Sequence, residues 1–148
     1  MLAPDSHGAS WNISLKEIQY LASLTNMARK QYDTDPARTY IFGHSNGGAM
    51  TIAMTALKSG DFAATSLHAG SFNVDDLTPH LANMRAGMPI TFITGNQDAL
   101  FPLSQVRATA EALRLAGAKV KQYEIAPHNH WYYDIAGFIN ELAWKEMS

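Results

Sequence analysis

The sequence predicts a three-layer α/β/α fold with a parallel sheet. Strand-like and helix-like segments alternate along the whole chain, which is the rhythm of a sheet covered by helices on both faces. The strand-like segments are short and apolar, and several close on glycine. One of them runs straight into the turn Gly43-His44-Ser45-Asn46-Gly47, which opens a helix.

In order, residues 1–13 read as loop. Ser14-Leu15-Lys16-Glu17 is a capping box, with a carboxylate three residues after a capping serine. Behind it Leu15, Ile18, Leu21, Ala22, Leu24 and Ala28 recur at helical spacing to about Gln31. Asp33-Thr34-Asp35-Pro36 breaks that helix. Arg38 to Gly43 is β-rich and reads as a buried strand. A helix follows from Asn46 through Met50, Met54 and Leu57 to Ser59-Gly60. Ala63 to His68 is a weaker strand, and residues 75–85 hold a short helix. Pro89 to Thr94 is a strong strand. Pro102 opens a helix carrying Val106, Ala110 and Leu113, with Gly117 placed to cap it. Lys119 to Ala126 alternates as a strand. Ile135, Phe138, Ile139 and Leu142 give a last helix its apolar stripe. Met27, Met50, Met54 and Met84 read as core filler. No repeat or linker divides the chain, so residues 1–148 are expected to form a single domain.

Bulk properties narrow the function. Apolar residues make up 47% of the chain and charged ones 16%, with a formal net charge of −2. No basic stripe favours nucleic acid as a partner. The absence of cysteine removes disulfides, thiolate metal sites and a cysteine nucleophile, and leaves the compartment open. No apolar run approaches the ~20 residues of a membrane helix. Met1-Leu2-Ala3-Pro4-Asp5 does not read as a secretory signal.

The chemistry is expected at the C-terminal ends of the strands. Ser45 sits in a Gly-x-Ser-x-Gly turn between strand and helix. In such an elbow the serine is strained, and bulk at Gly43 or Gly47 is expected to clash. The helix behind it aims its first amides at developing negative charge, and the backbone amide of Asn46 can hold an oxyanion. Asp98 follows the Pro89–Thr94 strand and can orient an imidazole. His128 and His130 follow the next strand, and either can be the base for Ser45. Serine, aspartate and histidine then each follow a strand, in that order along the chain. His128 and His130 could also suggest a metal, but no third ligand at suitable spacing follows, so no metal and no cofactor is expected. His44 reads as a packed histidine beside the nucleophile. His68 and His80 read as structural or solvent-facing. Trp11, Trp131, Tyr132 and Tyr133 read as packing or pocket wall.

Gly43-His44-Ser45-Asn46-Gly47-Gly48, Asp35-Pro36-Ala37-Arg38, Gly95-Asn96-Gln97-Asp98 with Phe101-Pro102, Pro127-His128, and Pro4-Asp5-Ser6 with Gly8, Ser10 and Trp11 together resemble α/β-hydrolase serine esterases. The nearest groups are the polyhydroxybutyrate-depolymerase and feruloyl-esterase-like proteins and the phospholipase/carboxylesterase-like proteins. The resemblance implies Ser45 as nucleophile, Asp98 as triad acid and a histidine of the 128–130 pair as base. His128 is favoured because it follows Pro127, and His130 is the alternative, since a His-Trp pair also occurs there. His44 and Trp131 are expected to border the substrate pocket. The resemblance also implies that the chain corresponds to the C-terminal half of an α/β-hydrolase fold, a truncated or minimal form without the first strands and without the loop that gives a second oxyanion amide.

The sequence therefore points to a hydrolase of carboxylic esters working through an acyl-enzyme, with a small ester as substrate and neither nucleic acid nor membrane as partner. The elbow strand would lie at a sheet edge, so a homodimer or higher homo-oligomer through that edge is expected. The alternative is a weak or inactive hydrolase-fold remnant that serves as a binding or assembly module.

Overall fold

A computed structural model describes all residues, Met1 to Ser148. Its centre is a parallel four-stranded sheet in the order β1 (Tyr40–His44), β2 (Ala64–His68), β3 (Pro89–Gly95), β4 (Lys119–Ile125). Around it lie helices α1 (Leu15–Tyr32), α2 (Asn46–Lys58), α3 (Val74–Leu77), α4 (Leu103–Leu115) and α5 (Ala136–Met147). Strand neighbours in space are also neighbours in sequence. Right-handed crossovers between such strands deliver every connecting helix to the same face. Helices α2, α3 and α4 accordingly share one face, joined by α1, and α5 covers the other after the last strand. The predicted three-layer architecture is present. β1 borders the sheet, and its outer edge pairs with no strand of this chain.

The strand period of two divides side chains between the faces. Ile41, Leu67, Ile90, Phe92 and Val120 point toward α1, α2 and α4, where a core of twenty buried apolar residues forms. Phe42, Ile93 and Ile125 point toward α5 and pack with Ile139 and Ala143.

Most elements match their sequence patterns, with informative exceptions. Ser14 caps α1 by accepting from the Glu17 amide, and the Glu17 carboxylate accepts from the Asn12 amide rather than closing the box on Ser14. The first strand starts at Tyr40 and not at Arg38. Pro36–Arg38 is a short 3-10 turn, because Asp35 accepts from the Ala37 amide and Pro36 presets its φ. Residues 75–85 split into α3 and a 3-10 turn over Thr78–Asn83. Gly117 adopts φ +95°, the left-handed geometry its place after α4 requires. Met27 and Phe138 lie exposed on outer helix faces, so neither fills the core as expected, while Met50, Met54 and Met84 do.

Candidate active site

The chain leaves β1 through Ser45, which has φ 57° and ψ −122°. That conformation is costly for a residue with a Cβ, by about 1–3 kcal/mol. Two contacts hold it. The Ser45 amide donates to the His68 carbonyl at 3.0 Å. Gly43 lets the turn close, since a Cβ there would lie 2.2 Å from the Gly47 carbonyl oxygen. The expected clash at Gly47 is not found. A Cβ there meets only Trp11, at 3.8 Å, because the position faces outward beside the N-terminal segment. α2 then starts at once, leaving the amides of Asn46, Gly47 and Gly48 without protein acceptors beside the serine. The Asn46 side chain faces backward and accepts from the Trp11 amide at 2.6 Å.

Asp98 lies in the loop after β3 and its carboxylate is fully shielded from solvent. One oxygen accepts from the amides of Leu100 and Phe101, each at 2.9 Å. The other lies 2.9 Å from His130 Nδ1. A carboxylate that holds its own turn in this way cannot swing, so it fixes the ring it touches. His130 Nε2 lies 2.9 Å from Ser45 Oγ. With the carboxylate as acceptor, Nδ1–H donates to Asp98, and Nε2 is left to accept from the Ser45 hydroxyl. Phe101 stacks on the same imidazole, with ring centres 5.6 Å apart and planes 15° apart.

The structure thus brings together Ser45, Asp98 and His130, and corrects the preference for His128. The His128 side chain turns inward, is nearly fully buried, and meets His68 through the two Nε2 atoms at 3.1 Å. Two residues apart in one loop, the two imidazoles reach different partners, and only the later one meets the serine. Nothing in Pro127-His128-Asn129-His130 marks which points where.

His44 departs from expectation too. A cavity of about 270 Å³ opens beside His130 between Gln97, Ala99, Leu100, Asn129 and Trp131. Trp131 lines it, and His44 does not. The His44 side chain points to the α5 face, with Nδ1 2.9 Å from His68 Nδ1 and its ring stacked on Tyr132. His68 is wholly buried and bonded at both nitrogens, not solvent-facing, while His80 is exposed. Burial, followed by the neighbouring imidazoles, lowers the His68 pKa to about 3. Burial also lowers those of His44 and His128. The three form a neutral chain next to the serine. No group of three or more histidine, aspartate or glutamate side chains has the arrangement to hold a metal ion.

With this geometry in view, the similarities to known proteins are informative. The profile of the dienelactone hydrolase family matches residues 9–135. Among solved structures, a carboxylesterase from Mesorhizobium loti superposes with a TM-score of 0.74 at 24% identity, over 95% of this chain and 71% of its own. A variant of SOBER1 from Arabidopsis thaliana gives 0.72 at 17%, over 90% and 65%. A carboxylesterase from Bacillus cereus gives 0.71 at 16%, over 89% and 59%. The chain thus spans less than two thirds of the length of the last two. At these identities the likeness concerns the fold, which is that of the α/β-hydrolases. No curated protein sequence matches the chain.

Proposed function

Since the chain belongs to the dienelactone hydrolase family, we propose that it is a serine hydrolase acting on carboxylic esters through an acyl-enzyme. The observation that carries this reading is the unbroken line from Ser45 Oγ to His130 Nε2 and from His130 Nδ1 to Asp98, each step 2.9 Å. Ser45 Oγ attacks the ester carbonyl while His130 Nε2 takes its proton. Asp98 holds the ring in the donating tautomer and stabilises the imidazolium. The tetrahedral oxyanion lies against the amide of Asn46 at the start of α2, where the helix dipole adds to the hydrogen bond. His130 returns the proton to the leaving alcohol. Water, activated by the same imidazole, then releases the acid from Ser45. The cavity beside His130, with Leu100 and Trp131 on its wall, accommodates one arm of the ester.

The test is hydrolysis of p-nitrophenyl acetate and butyrate by wild type and Ser45→Ala. A loss of kcat of about 10⁴-fold or more is expected on removing the nucleophile. Equal rates in the two proteins refute the mechanism. Labelling of Ser45 by a fluorophosphonate, absent in Ser45→Ala and weakened in His130→Ala, separates an assembled site from an inert binding module.

A further inference from the structure

The base His130 is held by Asp98 at one nitrogen and stacked by Phe101, yet the loop that carries it is exposed at Asn129 and Trp131. Something must keep that loop at a fixed height above the sheet. Its inward residue is His128. Its carbonyl accepts from the Gln97 amide at 2.8 Å, and its amide approaches the Asn96 side-chain oxygen at 3.5 Å. Gly95 permits this close approach, because a Cβ there would lie 2.2 Å from the His128 carbonyl oxygen. The His128 ring reaches past the loop to His68, in the middle of the sheet on β2, and His68 reaches on to His44 on β1. Tyr132 stacks on His44 and packs tilted against His68, with ring centres 5.9 Å apart, closing the chain from the α5 side.

We infer that His128, anchored by His68 and His44, is the positioning residue that sets the His130 imidazole between Asp98 and Ser45. This rests on the ester-hydrolase reading above for its kinetic consequence, but not for its structural one. A neutral imidazole has one N–H and one bare nitrogen. His68 uses both its nitrogens, so it donates to one neighbour and accepts from the other. The chain is therefore ordered in one direction or the other, and each ring orientation is dictated by the next. Directional bonds of this kind fix an angle as well as a depth, which apolar packing alone does not. The burial that keeps all three imidazoles neutral keeps the chain free of internal charge repulsion. A displacement of the loop by about 1 Å moves Nε2 out of line with Ser45 and can cost about 10² in rate.

The test uses the whole chain with His128→Leu and His128→Gln. Leucine fills the space and removes the bond to His68. The glutamine amide can reach the place of Nε2 and restore it. For p-nitrophenyl acetate, His128→Leu is expected to lower kcat about 10- to 100-fold with KM changed less than about 3-fold, and His128→Gln to recover most of kcat. In proton NMR, the low-field Nδ1–H resonance of His130, assigned by its loss in His130→Ala, should persist in wild type and His128→Gln and vanish in His128→Leu. Wild-type kcat in His128→Leu, or that resonance intact in both variants, overturns the inference. If the wild type hydrolyses no ester, the ester reading fails and the resonance alone decides. Its loss in His128→Leu with retention in His128→Gln supports positioning, and retention in both refutes it.

Discussion

On the face covered by α1, α2 and α4, twenty buried apolar side chains form one continuous core, whereas on the α5 face the buried apolar cluster is only Ile93, Ile139 and Ala143. The difference follows from topology. A sheet whose strands run in sequence order sends each crossover helix to one side, and a helix outside the crossovers, here the one after the last strand, is free to cover the other. The C-terminal end of the thin face is filled by His44, His68, His128 and Tyr132 instead of aliphatic carbon. The thick face supplies stability without regard to chemistry. The thin face holds the polar groups that orient His130, and its packing is directional.

Two substitutions should break the comparison if it is wrong. Asp98→Asn keeps the oxygen that serves Leu100 and Phe101 but presents an amide to His130, forcing the opposite tautomer. A fall in kcat of about 10³–10⁴ is expected, with a melting temperature close to wild type. Phe92→Ala on the thick face should do the reverse. It removes a fully buried ring at a cost of about 3–5 kcal/mol by urea unfolding, with kcat per folded molecule within about 3-fold of wild type. A large kcat loss in Phe92→Ala beside a small one in Asp98→Asn would show that the faces do not divide the work.

The thick face was also the legible one. Helical periodicity in Ile18, Leu21, Ala22, Val106, Ala110 and Leu113 identifies residues that do form its core. The elbow was legible because Gly43 and Ser45 occupy a turn that few residues can enter. The thin face was opaque. His128 and His130 are the same residue type two positions apart, and their directions depend on the docking of the whole loop onto Gly95 and Asn96. His68 carries no local mark, since its partners lie 24 and 60 residues away. Leu15 and Phe138 misled because apolar spacing does not say which edge of a helix turns to the sheet, and Met27 because residue type alone does not say that a methionine is buried.

A smaller effect separates the faces by pH. Above about 6.5, His68 is neutral whether folded or unfolded. Between 6.5 and about 3 the unfolded chain binds a proton that the buried imidazole refuses. Folding stability is therefore fully present above 6.5 and declines as pH falls through that window, by about 1.4 kcal/mol per unit for a single such group. The lowered pKa values of His44 and His128 act in the same direction. Urea midpoints at pH 7.5 and 5.5 should show the decline in wild type and a shallower one in His68→Leu. Equal slopes would mean that the thin face does not titrate as a buried imidazole chain.

The smallest expected effect concerns a side-chain tie between the elbow and the segment before α1. Trp11 packs against the large core and its amide donates to the Asn46 side chain, on the residue that follows Ser45. Asn46→Ala removes that acceptor and leaves the backbone amide of residue 46 in place for the oxyanion. Stability should fall by about 1 kcal/mol, the size of one hydrogen bond. The kcat should fall by less than about 10-fold, well short of the 10²–10³ that loss of an oxyanion donor brings. A drop of the larger size would mean that the tie to Trp11 aims the amide itself. The thick face would then share in positioning the chemistry, and the division between the two faces would be less complete than their packing suggests.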